Sequence, residues 1–198
     1  MADKDTAELL NRLRGTPIGD RILNYLAQRD MAPTIERYGW LGNANATFSN
    51  PSNRNDPGVI KYSGDVHPKF AANMLLHELT HAADRQISRD ALDYATTDPQ
   101  LYDAWLKLST PVARPMWGER LPERAPRQEM AYRMSPQWYE KNKNYRAGNR
   151  ELPAWGVADT VVPMVGGDEY SPPSHLNATL AQEFDILLDL ASRAKKKK

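Results

Sequence analysis

The sequence contains no cysteine. This absence excludes a disulfide framework, a thiolate metal site and a cysteine nucleophile. The formal net charge is only +1, which gives no general attraction to nucleic acid or to an anionic membrane surface. Because the chain has four histidines and no thiol, any metal chemistry must depend on imidazoles and carboxylates.

Long apolar runs and several common motifs are also missing. The first residues are polar, and no apolar run follows that would serve as a signal peptide or a membrane span. We therefore expect a cytoplasmic protein, although residence in a virus particle stays open. No internal repeat, Gly-rich phosphate loop, G-x-S-x-G turn or specific nucleic-acid motif is present. With 198 residues, 40% of them hydrophobic, the chain is long enough for one globular domain, which we expect to span residues 1–198.

The strongest chemical signal is the pattern H-E-x-x-H at residues 77–81. From Lys69 to Ile87 the chain has no Gly or Pro and is rich in Ala, Leu and Met, which predicts a helix of about five turns. On a helix, residues four apart lie on the same face, so His77 and His81 can direct both imidazoles at one point. This spacing predicts a site for Zn²⁺, which needs one further protein ligand and an open position for water.

Glu78 has a different predicted role. It lies about 100° around the helix from His77, from where it can reach a zinc-bound water as a general base. The metal lowers the pKa of that water, and the carboxylate takes its proton during attack on a carbonyl. The pattern thus predicts hydrolysis of peptide bonds in a peptide or protein substrate by a zinc-dependent metalloendopeptidase.

The His77–His81 segment, with the apolar run Met74-Leu75-Leu76 before it, resembles the active-site helix of the zincin metallopeptidases. The metzincin extension is absent, since Asp84 and Ile87 stand where that subgroup has a Gly and a further ligand. An unbroken helix would place Asp84 about 10 Å along the axis from His77, too far for both to bind one metal. We expect Asp84 to orient His81 or to form an ion pair with a nearby arginine.

The third ligand is expected downstream, as in the Glu-zincins, which the pattern resembles most. Arg127–Met134 resembles their second metal helix, and this resemblance implies Glu129 as the third metal ligand, with the small Ala131 close behind it. Several other residues stay open as ligands. They are Glu119, Glu123, Glu183 and His175. The candidate donors to an oxyanion are Tyr132, Tyr139 and His175.

The remaining pattern predicts an α+β fold, a mainly helical zincin-like domain with a small antiparallel sheet before the metal-binding helix. Two helices are expected in residues 1–32, the sheet in 33–64, the metal-site helices in 65–140, and a helix with a basic tail in 174–198. The predicted strands are Thr34–Tyr38, Ala46–Phe48 and Val59–Tyr62. In zincins the edge strand of such a sheet lines the cleft, and by that resemblance Val59–Tyr62 would hold an extended substrate; an ordinary covered edge is the alternative.

Residues 111–126 and 141–173 are poor in regular signals and are expected to be irregular. A segment as long as the second is either functional or docked on a partner. Two other functions therefore stay open. The domain could be a structural or interaction subunit of a large assembly, for example a virus particle, with hydrolysis unused or lost, or it could hydrolyse a non-peptide amide such as a cell-wall crosslink.

Overall fold

The computed structural model describes residues 4–39, 45–49, 51, 53–66, 68–109, 126–142, 151–161 and 173–194. Within these residues the chain forms eight helices and three strands, so the α+β class predicted from the sequence is confirmed. In chain order the elements are α1 (Lys4–Arg14), α2 (Pro17–Gln28), β1 (Thr34–Tyr38), β2 (Ala46–Ser49), β3 (Val59–Ser63), α3 (Pro68–Asp93), α4 (Pro99–Ser109), α5 (Pro126–Met134), α6 (Pro136–Asn142), α7 (Glu151–Val161) and α8 (Ser174–Arg193).

Proline marks the start of most of these helices. Its ring fixes φ near the helical value, and its missing N–H costs nothing in the first turn, where that donor has no partner inside the helix. The helices that begin at a proline are α2, α3, α4, α5 and α6. The prolines that interrupt the sequence pattern therefore separate successive helices.

Helix α3 is the centre of the molecule. Its 26 residues extend the predicted Lys69–Ile87 helix at both ends, and the helix contacts α1, α2, α4, α7, α8, β2 and β3. Leu75, Leu76 and Ile87 are completely buried, because a helix covered on several sides needs apolar residues around most of its circumference. Among the described residues, no helix combines the length and the apolar composition needed to cross a membrane.

The sheet is mixed, which corrects the antiparallel sheet expected from the sequence. Strand β3 lies in the middle; it pairs with β1 in parallel, with Thr34 opposite Val59, and with β2 antiparallel, with Ser49 opposite Val59. The chain reverses direction twice between β1 and β3, so these two strands run the same way. The edge strand beside α3 is consequently β2, and the predicted edge strand Val59–Tyr62 is the central one.

Helix α7 lies in a stretch that was expected to be irregular. Gly156 allows it to approach α8, because a Cβ at this position would lie 2.5 Å from the Cβ of Leu180. Leu152 and Val157, on the same helix, are completely buried. The glycine that reads as a helix breaker in the sequence is thus the point of close contact between two helices.

Replacing Gly156 by Ala should destabilise the protein, although alanine is the better helix former by about 1 kcal/mol. The added methyl group has no room against Leu180, and overpacking of this kind costs about 1–3 kcal/mol. Gly39→Ala is the matched control, since nothing lies within 4 Å of a Cβ placed there. The free energy of unfolding from urea titrations should fall only for Gly156→Ala; equal or greater stability of that variant would refute the close packing of α7 on α8.

Candidate metal centre

Helix α3 brings the two motif histidines together as the spacing predicts. The Nε2 atoms of His77 and His81 lie 3.0 Å apart, and the rings meet edge to face with centroids 4.6 Å apart. His77 is only 4% exposed, and His81 is half-buried at the edge of a cleft. Both imidazoles therefore direct the same nitrogen into one small volume.

Glu151, the first residue of α7, supplies the third group. One carboxylate oxygen, Oε2, lies 3.3 Å from the Nε2 of His77, and the other, Oε1, lies 3.4 Å from the Nε2 of His81. Among the described residues, His77, His81 and Glu151 form the one group of at least three histidine or acidic side chains close enough to hold a metal ion. Glu151 is not among the ligands predicted from the sequence.

The packing of α7 on α3 explains how Glu151 reaches the histidines. Four residues after Glu151, the Trp155 ring lies against His77 at a centroid distance of 4.2 Å. Four residues further, Asp159 accepts a hydrogen bond of 3.1 Å from the amide of Asn73. Residue numbers rise along α7 in the direction in which they fall along α3, so the two helices are antiparallel. Successive turns of α7 therefore contact successive turns of α3.

The three side chains fit a divalent cation. Around a tetrahedral zinc ion with bonds of about 2.05 Å, ligand atoms lie about 3.3 Å apart. The two histidine nitrogens lie 3.0 Å apart, and each lies 3.3 or 3.4 Å from a different oxygen of the Glu151 carboxylate, so the possible ligand atoms lie at about this spacing. Two imidazoles and one carboxylate are also a donor set that leaves a position open, as a catalytic zinc site requires.

The three acid–base groups are strongly coupled. Burial alone would raise the pKa of Glu151, but its hydrogen bonds to His77 and His81 outweigh burial and hold the pKa at about 2. Burial would likewise lower the pKa of His81, yet the hydrogen bond to Glu151 and the charge of that carboxylate raise it. Glu151 is therefore ionised and ready to act as a ligand.

Glu78 is 9% exposed and borders the same cleft. Burial raises its pKa to about 7, and the Glu151 carboxylate adds to the rise, whereas His81 and the backbone N–H of Phe48 oppose it. A carboxyl group with a pKa close to neutrality takes up and releases a proton readily at physiological pH. Burial beside the histidines thus brings the pKa of Glu78 close to neutrality.

The cleft lies between α3, the start of α7 and strand β2, and its volume is about 560 Å³. Its lining contains the motif residues, Glu151, Ala46–Phe48 of β2, and the stretch of α3 that follows the histidines. Asn45 accepts a hydrogen bond from the backbone of Ser63, so by the alternation of an antiparallel pair the peptide groups of Ala46 and Phe48 point away from β3. The backbone of this edge strand therefore faces the cleft.

The other candidate ligands do not join the group. Glu129, the ligand predicted from the sequence, lies on α5 and forms a 2.8 Å ion pair with Arg133. The carboxylate that lies beside the two histidines is that of Glu151. Glu183 is partly buried near Arg127, and burial raises its pKa although the arginine opposes this. Glu119 and Glu123 lie outside the described residues.

The candidate oxyanion donors also lie elsewhere. Tyr132 and Tyr139 pack edge to face with ring centroids 5.7 Å apart, and His175 is exposed near the start of α8. None of the three is in the lining of the cleft.

Asp84 lies 3.5 Å from the almost completely buried Arg127, as expected for the ion pair with a nearby arginine. That pair joins α5 to α3 one turn beyond His81.

The arrangement is therefore a cleft with three convergent side chains that could hold a metal ion, a buried carboxyl group beside them and an edge strand along one wall. Comparisons with protein-family models, curated proteins and solved structures found no match.

Proposed function

We propose that this protein is a zinc-dependent metallopeptidase of the zincin type, with His77, His81 and Glu151 as the zinc ligands and Glu78 as the general base. The observation that carries the proposal is the position of Glu151. A carboxylate from a separate helix lies 3.3 and 3.4 Å from the two histidine nitrogens of an H-E-x-x-H motif. A solvated surface helix with two histidines would not require such a partner.

The residues divide the chemistry between them. When bound, zinc would supply a Lewis acid that polarises the substrate carbonyl and makes water more acidic. Glu78 accepts a proton from the attacking water as the carbon–oxygen bond forms, and delivers it to the amine nitrogen as the carbon–nitrogen bond breaks. Glu78 is buried at the wall of the cleft beside the three ligand side chains, which places its carboxyl group within the same site.

The shape of the cleft favours an extended peptide as the substrate. Strand β2 is an edge strand, and the peptide groups of Ala46 and Phe48 face away from its partner β3. The Phe48 N–H is hydrogen-bonded to Glu78, which leaves the N–H of Ala46 and the carbonyl groups of Ala46 and Phe48 for a substrate. An extended chain can add to such an edge through main-chain hydrogen bonds, which hold substrates of varied sequence. We therefore assign the binding of an extended substrate to β2, and not to Val59–Tyr62, for which the resemblance predicted it.

Metal content and peptide cleavage test the proposal together. The purified protein should hold one zinc ion per chain by elemental analysis, and a mixed peptide library should be cleaved. A chelator should abolish cleavage, and added Zn²⁺ should restore it. Zinc should also raise the melting temperature, because a ligand that binds only the folded state stabilises it.

Two results would overturn the proposal. Absence of zinc binding would remove the metal centre. Zinc binding without cleavage of any peptide would favour a structural subunit of a larger assembly, or hydrolysis of a non-peptide amide if a cell-wall crosslink were cleaved instead.

A further inference from the structure

The cleft continues beyond the metal centre along α3, where it is lined by two arginines. Arg85 and Arg89 follow His81 by one and two helical turns, and both border the same volume as the three ligand side chains. Because a helix rises about 1.5 Å per residue, their backbones lie about 6 and 12 Å along the axis from His81. The proposed reaction does not use either side chain.

Neither arginine has a carboxylate partner among the described residues. Arg85 donates hydrogen bonds of 3.0–3.2 Å to the backbone oxygens of Pro51, Asn53 and Asp56, and Arg89 donates one to the backbone oxygen of Arg54. Backbone oxygens accept hydrogen bonds but carry no net charge, so two positive charges remain uncompensated by ion pairs at this end of the cleft.

The surrounding charges reduce this excess of positive charge but do not cancel it. Burial lowers the pKa of Arg85 and of Arg89, and in each case a neighbouring arginine adds to the effect, Arg89 for the first and Arg54 for the second. Two carboxylates oppose this effect, Asp56 near Arg85 and Asp93 near Arg89, but Asp93 also pairs with Arg54, and Asp84 faces Arg127. Arg54, Arg85 and Arg89 thus outnumber Asp56 and Asp93. The arginine end of the cleft is therefore a site of positive potential that favours an anionic group.

We propose that Arg85 and Arg89 select substrates that carry an acidic side chain a few residues from the cleaved bond. The inference rests on the proposed peptidase function. The Arg85 guanidinium lies 6.0 Å from the Phe48 ring, so the arginines adjoin the edge strand that would hold the peptide. An extended chain advances about 3.3 Å per residue, which puts the acidic residue about two to four positions from the cleaved bond.

Equilibrium binding separates this proposal from catalysis. The probes are two fluorescein-labelled decapeptides that differ only in a Glu-Glu pair or a Gln-Gln pair, and binding is followed by fluorescence anisotropy. The protein is Glu78→Gln, with and without zinc, so that cleavage does not interfere. The Glu-Glu peptide should bind about tenfold more tightly, since hydrogen bonds between charged groups are worth at least that factor. The preference should shrink at high salt.

The variants locate the preference. Arg89→Gln should remove most of it, whereas Arg89→Lys should retain part of it because the charge remains. Arg85→Lys tests the second arginine. Lysine can still donate hydrogen bonds to the loop of Pro51, Asn53 and Asp56, so this variant should disturb the loop less than Arg85→Gln would. Thermal unfolding checks that each variant is folded. Arg193→Gln is the matched control, since it removes the same charge from an exposed position on α8 outside the cleft; it should leave the preference unchanged.

Three outcomes would overturn the inference. Equal binding of both peptides, or a preference that survives Arg89→Gln, would show that the arginines do not select acidic peptides. Tighter binding of a labelled ten-nucleotide single strand, lost in the same variant, would assign the site to nucleic acid instead. These failures differ from failure of the peptidase proposal, in which the binding preference persists but no peptide is cleaved.

Discussion

Glu151→Gln should weaken zinc binding by more than about 100-fold. Mutation of a residue that only hydrogen-bonds to a metal ligand commonly lowers metal affinity by about 10- to 100-fold, and loss of a ligand itself should cost more. The amide keeps the size of the side chain but removes the negative charge that faces both histidines at 3.3 and 3.4 Å. The measurement is zinc affinity by competition with a chromophoric chelator at neutral pH. Peptide cleavage at limiting zinc should fall in parallel.

Glu129→Gln is the control for this experiment. It makes the same chemical change on α5, where Glu129 pairs with the exposed Arg133 and lies outside the ligand group. Zinc affinity should stay at the wild-type value, because Glu129 does not belong to the group that could hold the metal. Loss of zinc from Glu129→Gln but not from Glu151→Gln would restore the assignment made from the sequence and contradict the structural one.

Glu78→Gln should reduce kcat by about 10²–10⁴-fold, the usual contribution of a general base. Zinc affinity should change little, since Glu78 is not one of the three convergent ligands. The buried amide occupies nearly the same volume but accepts no proton from the attacking water. Cleavage of a peptide identified from the library, together with zinc content, measures both expectations.

The same variant has two informative failures. If Glu78→Gln still cleaves at the wild-type rate, another group accepts the proton and the assignment of the base is wrong. If it loses zinc as Glu151→Gln does, Glu78 contributes to metal binding. Glu129→Gln again serves as the control for removing a carboxylate outside the cleft, and it should retain full activity.

The histidine pair could be predicted because its geometry is local. Two residues four apart on a helix lie on the same face, and the composition of Lys69–Ile87 was sufficient to predict that helix. The strands were also predicted within one residue of their observed ends, since short β-branched and aromatic runs are bounded there by turn residues. Their arrangement was not, because pairing order depends on contacts between segments distant in sequence.

Glu151 was missed because α7 carries two residues that usually interrupt helices. Pro153 lies in its first turn, where a proline is tolerated, and Gly156 lies where α8 comes close. One signal was available: an acidic residue and a proline within three successive positions are typical of the first turn of a helix. Glu129 was favoured instead because Arg127–Met134 resembles the second metal helix of the Glu-zincins, and that resemblance does not show which face of the helix meets the histidines.

By itself, the sequence determined that two imidazoles and a carboxyl group share one helix, since that follows from a repeat of 3.6 residues per turn. It also determined that no thiol could assist them. Only the tertiary structure decided which acid completes the group and which strand borders the cleft. The reason is that a third ligand is positioned by packing between helices about 70 residues apart, and such packing depends on shape and volume that no local pattern records.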